Sequence, residues 1–118
     1  MDVRALATEG MVLTQGEVEL EIDRLLGLMG ERTEELAQLS VRASEAETEY
    51  KRSFAEAFIR ATGTVKDREA LATMNAIEQF ATHKHADALL RSGQESLRTI
   101  RAALDALRTV SANVRAIT

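Results

Sequence analysis

The sequence predicts an all-α protein: a long antiparallel helical hairpin, coiled-coil-like in its packing and completed as a dimeric helical bundle. Three observations lead there. The 118-residue chain has no Pro and only six Gly, and Ala, Leu, Glu and Arg dominate; all four lose little rotamer freedom in a helix. Two stretches carry apolar residues at alternating steps of three and four, the spacing of a helix face. A single strong punctuation, Thr62-Gly63-Thr64, separates them.

Taken in chain order, residues 1–13 form a flexible or short-helical segment, with Val3 to Thr8 as one short helix and Gly10 as its stop. Thr14 and Glu17 make a T-x-x-E start signal, in which the Thr side chain caps the first turn. The first helix is therefore expected over about 15–61. Gly27 and Gly30 would each cost roughly 1 kcal/mol relative to Ala in its interior, so a kink near 27–30 is expected. The alternation Val18-Glu19-Leu20-Glu21-Ile22 also suits a strand, but the helical pattern runs far beyond it. Gly63 is suited to the left-handed conformation that closes a helix. Thr64 with Asp67 then forms an approximate capping box for a second helix over about 65–117, with Gly93 as its internal weak point.

The seams are the most informative feature. In the second helix Leu90, Gly93, Leu97, Ile100, Leu104, Leu107, Ser111 and Val114 keep heptad spacing without a slip. In the first, Ile22, Leu25, Met29, Arg32, Leu36, Leu39, Ala43, Ala46 and Tyr50 do the same, with Arg32 as the polar intruder. Toward the loop the pattern drifts to Tyr50, Phe54, Phe58 and Ala61, and across from them to Leu71, Met74, Ile77 and Ala81. Steps of three, three and four there mark a stutter, which locally unwinds a supercoil.

If the chain reverses at Gly63, facing residues have numbers that sum to about 126. Arg108 then faces Glu17 and Glu21, Arg98 lies near Leu28, Lys84 near Arg42 and Glu45, and Phe80 beside Ala46 and Tyr50. Residues 1–62 hold 13 acidic and 7 basic side chains, residues 63–118 hold 6 and 8. A net of −6 against +2 is the balance expected of two halves that fold together.

One hairpin buries one stripe per helix. It leaves Leu20, Leu26, Leu28, Phe54, Phe58, Ile59, Phe80 and Leu89 off the primary seam, and a leftover apolar surface of this kind marks an interface. The expected interface residues are Leu90, Leu97, Ile100, Leu104, Leu107 and Val114 on the second helix, with Leu36, Leu39, Tyr50, Phe54 and Phe58 on the first. A homodimer is the simplest arrangement that covers the residues left off the primary seam.

No constellation points to catalysis. With no Cys, there is no thiolate nucleophile, disulfide or cysteine metal site. His83-Lys84-His85 puts two imidazoles about 200° apart on a helix, which does not make a shared ligand face. His83 with Asp87 has i, i+4 spacing but falls short of a ligand set. The group therefore reads as a solvated, weakly basic face opposite Glu45 and Glu47, with a pH-sensitive contact as the alternative. The acidic runs at 17–23, 34–35 and 45–49 lack the Glu-x-x-His of a di-iron bundle. No enzyme activity, cofactor or metal is expected.

Arg101, Arg108 and Arg115 are spaced by seven along one flank of the seam. They suit neutralisation of the acidic first helix and, in a second reading, the backbone of a nucleic acid. Met11, Val12 and Leu13, together with this stripe, are the expected partner-binding residues, away from the tight Thr-Gly-Thr turn. Apolar runs such as Gly10 to Gly16 and Leu25 to Gly30 are too short to span a bilayer, and the N-terminus lacks signal-peptide order. The chain is expected in the cytoplasm, without a membrane partner.

The stretch from Glu47 to Phe58 (ETEYKRSFAEAF), the turn at Gly63, and Ile100 to Arg108 (IRAALDALR) followed by Ala112-Asn113-Val114-Arg115 look like small all-helical accessory proteins of tailed bacteriophages of actinobacterial hosts. The resemblance covers roughly residues 14–118. It implies a helper of recombination or replication, or a modulator of host proteins, acting in the host-cell cytoplasm. It implies no catalytic residue.

Overall fold

A computed structural model describes residues 14–117 of the chain. Three helices make up this part: α1 (Gln15–Arg60), α2 (Val65–Asn75) and α3 (Ile77–Ile117). The fold is all-α, a helical hairpin closed at Gly63, and no strand occurs among the described residues. The alternation at Val18 to Ile22 is thus helical: Val18 turns fully inward while Leu20 turns out, as a 3.6-residue period requires.

Two compact units divide the chain. The described part of the terminal unit comprises residues 14–34 and 94–117, and the turn unit comprises residues 35–93. In the terminal unit Thr14 caps α1, its hydroxyl accepting from the Glu17 N–H at 3.1 Å. Val18, Leu25, Ile100, Leu104 and Leu107 form the core, flanked by Ile22, Leu28, Met29, Ala103 and Val110. Ser111, the hydroxyl in the α3 run of the seam, is buried and accepts from the Gln15 side-chain amide at 3.1 Å. That bond joins positions whose numbers sum to 126, as an antiparallel pair closed at Gly63 requires.

In the turn unit Gly63 has φ 108°, the left-handed conformation that closes the hairpin. Thr64 and Asp67 form a full capping box: the Thr64 hydroxyl accepts from the Asp67 N–H, and the Asp67 carboxylate accepts from the Thr64 N–H. The end of α1 is met by Arg68, whose guanidinium donates twice to the Phe58 carbonyl, at 3.2 and 3.3 Å. It also lies 4.4 Å over the Phe58 ring. A cation on the last carbonyls of a helix satisfies acceptors that the helix itself leaves open.

α1 is continuous helix through Gly27 and Gly30, with neighbouring Leu25, Leu28 and Met29 in or packed against the core. Past the turn, the interruption falls at Ala76 rather than Gly93. Ala76 has φ −102° and ψ 12°, and its N–H reaches both the Ala72 and Met74 carbonyls. This lies inside the stutter Leu71-Met74-Ile77-Ala81, where apolar spacing too short for one straight face is accommodated by a local change of helical path. Gly93 instead sits where a Cβ would come within 3.1 Å of a Leu39 methyl and 3.2 Å of a Leu36 methyl. It is a point of close approach, and the helix runs through it.

Candidate interaction surfaces

In the turn unit, the aromatic residues expected near the tip come together as a ladder. Tyr50 packs edge-on against Phe54 and Phe80, with centroids 6.3 and 5.2 Å apart, and Phe54 stacks on Phe58 at 6.4 Å. Their spacing of four on α1 brings successive rings onto one face. Phe80 sits beside Tyr50 as the hairpin register predicts. Lys84 lies 5.4 Å over the Phe80 ring.

Of the expected solvated face His83-Lys84-His85, Lys84 and His85 are exposed, and His83 is the correction. Its side chain is only 14% exposed, and its Nε2 lies 3.7 Å from an Asp87 carboxylate oxygen. The ring stacks on Tyr50 at 5.9 Å and 9°, and Nδ1 is buried without a hydrogen-bond partner. Local spacing did not mark it, since Phe80, three residues earlier, is itself exposed. Across from it, the Glu47 carboxyl is held below the usual range, chiefly by a hydrogen bond from Lys51 and secondarily by charges that include His83.

α2 is built inside out for so short a helix. Ala72 within it and Ala76 just past its end are completely buried. Its larger apolar residues turn outward: Val65, Leu71 and Met74 are exposed, as are Ile59, Ile77 and Phe80 elsewhere in the turn unit, with Met74 at 72% and Ile59 at 75%. A shallow groove alongside is lined by Phe54, Ala55, Phe58, Ile59, Glu69 and Thr73.

In the terminal unit, the seam residues Leu97, Ile100, Leu104 and Leu107 are buried and Val114 is half-buried. Leu36, Leu39, Tyr50, Phe54, Phe58 and Leu90, in the turn unit, are half-buried as well. Arg101, Arg108 and Arg115 are exposed; Met11, Val12 and Leu13 lie outside the described residues. The expected facing of Arg108 with Glu17 and Glu21 gives way to pairs within each helix. Arg108 lies 3.5 Å from Asp105, Glu21 bonds Arg24, and Arg98 bonds Glu95. Residues three apart are already neighbours on a helix, so such a pair forms at little entropic cost, whereas a pair across the seam must order two long side chains.

Among the described residues there is no group of three His, Asp or Glu side chains placed to hold a metal ion, and no helix long and apolar enough to cross a membrane. Sequence reasoning missed Arg68 and the pair Ala72 and Ala76. An Arg one turn beyond a capping Thr was the available signal for the first; nothing in the pattern of Ala residues distinguished the second. No protein-family model matches the chain, and neither a curated protein nor a solved structure is significantly similar to it.

Proposed function

We propose that this protein is a non-enzymatic interaction protein that self-associates and binds another protein, as a phage-type accessory factor would in the cytoplasm of a bacterial host. The observation that supports the reading is the outward apolar set around α2: Ile59, Leu71, Met74, Ile77 and Phe80. Several large apolar side chains left exposed in one unit of a small protein mark surface that a partner covers. Rigid aromatic neighbours beneath them give that surface a fixed shape. This moves the favoured partner contact from Met11 to Leu13 to the turn unit.

Affinity capture from the native host, with wild-type protein and an Ile59→Ser/Met74→Ser variant in parallel, tests the binding part. A protein retained by wild type and lost by the variant is the expected result; identical retention by both would overturn it. Static light scattering at tens of micromolar tests self-association, which a strict monomer would remove. A second reading, association with nucleic acid, draws on the exposed Arg101, Arg108 and Arg115. It requires retention on DNA at low salt that falls steeply as salt rises, and absence of retention at low salt ends it.

A further inference from the structure

We propose that a second copy of this chain docks on the terminal unit, with the acidic outer face of α1 in one copy against the basic flank of α3 in the other. The inference rests on the self-association reading above and assigns its surface. Within this unit the two helices have opposite sign. From Gln15 to Glu34, α1 carries Glu17, Glu19, Glu21, Asp23, Glu31 and Glu34 against Arg24 and Arg32; from Gln94 to Ile117, α3 carries Arg98, Arg101, Arg108 and Arg115 against Glu95 and Asp105. The acids Glu17, Glu19, Asp23, Glu31 and Glu34 are exposed, and so are all four arginines.

Glu21 is satisfied by Arg24, Arg98 by Glu95 and Arg108 by Asp105, each pair three residues apart on one helix. These three pairs each join an acid and a base of the same helix, so they leave the sign difference between α1 and α3 unchanged. Exposed pairs of this kind are weak and exchange partners readily.

A copy related by a two-fold axis presents the same patch in return, so a two-fold interface must complement itself. A unit with an acidic strip on one helix and a basic strip on its neighbour meets that condition twice over: α1 against α3, and α3 against α1. Leu20, 72% exposed among the acids, and the exposed Leu26 supply apolar contact at such an interface. A nucleic acid could use only the basic half, while the acidic half of the same unit would repel its phosphates.

Light scattering in about 20 mM and about 500 mM salt tests the electrostatic origin, since screening at the higher salt acts over a few ångströms. The dimer is expected to weaken by about tenfold or more between the two. Two charge-reversed variants, Arg101→Glu/Arg108→Glu and Glu19→Lys/Asp23→Lys, should each be folded by circular dichroism and monomeric alone. Mixed in equal amounts they should form a heterodimer, because both contacts are restored. A dimer that survives both reversals would overturn the assignment while leaving self-association intact. A wild-type monomer in both salts would remove the two together. Retention of DNA by wild type, lost in the Arg variant and with no heterodimer in the mixture, would overturn it in favour of nucleic acid.

Discussion

In the terminal unit the most deeply buried side chains are branched aliphatics, Val18, Leu25, Leu104 and Leu107 among them, whereas in the turn unit they are alanines: Ala43, Ala72 and Ala76. The turn unit contains all four aromatic rings of the chain, yet Tyr50, Phe54 and Phe58 are only half-buried and Phe80 is exposed. The cause lies in the period of the pattern. An unbroken heptad returns each Leu to the same seam, where it is enclosed by neighbours from the facing helix. A stutter rotates successive large residues off that line, so the small residues fill the closest approach and the large ones lie along its edges. Burial of a whole Leu side chain stabilises by about 1.5–3 kcal/mol, and an Ala methyl by much less. The terminal unit thus concentrates its stabilisation in a few residues, while the turn unit leaves apolar surface for other use.

The sharpest test of that contrast is truncation in the terminal core. Leu104→Ala should cost about 2–5 kcal/mol in urea unfolding, and Arg91→Ala, at an exposed position of the same helix, about 0.5 kcal/mol or less. Equal effects would mean the seam is not where the stability resides. Next comes Gly93 in the turn unit. A Cβ there already presses on Leu36 and Leu39, so Gly93→Val should lose about 1–3 kcal/mol through overpacking, read from the same unfolding curves.

Gly27 is the counterpart in the terminal unit, with nothing within 4 Å of a Cβ built on it. Gly27→Ala should therefore raise stability by about 0.5–1 kcal/mol, the helix-propensity difference alone. A loss instead would show that the site is sterically closed. The smallest effect concerns Glu21, whose carboxyl is held below the usual range by hydrogen bonds from Arg24, against a burial effect that raises it. A depressed carboxyl stabilises the fold above the unfolded value of about 4.3 and loses that contribution as pH falls through the lower folded value. Arg24→Gln should thus destabilise slightly at neutral pH and match wild type in strong acid. A difference that persisted in acid would point to the Arg24 stem rather than its charge.

The starts of α1 and α2 were legible in the sequence, because capping is local chemistry: Thr14 with Glu17 and Thr64 with Asp67 each span only four consecutive residues. The heptad seam was legible for a related reason, since periodicity records which face is apolar whatever it packs against. The half-burial of His83 was less so. A solvated reading follows from composition alone, and only its stacking on Tyr50, far away in the chain, places the ring inside.

By itself, then, the sequence determined the all-α class, the turn at Gly63 and the residues of the seam. Helix propensity, caps and spacing of three and four act within a few residues and admit no other arrangement of comparable consistency. The tertiary structure decided which glycine is crowded and which is open, where the second helical stretch is interrupted, and which ions pair. The first two depend on the distance between groups far apart in the chain, and the third on local pairs winning over partners across the seam. Gly93 meets Leu36 and Leu39 only because packing brings their backbones close. Ala76 interrupts the helix because the stutter must be reconciled with the facing residues. Arg108 turns to Asp105 because the nearer partner on its own helix holds it at less cost in side-chain freedom than an acid across the seam.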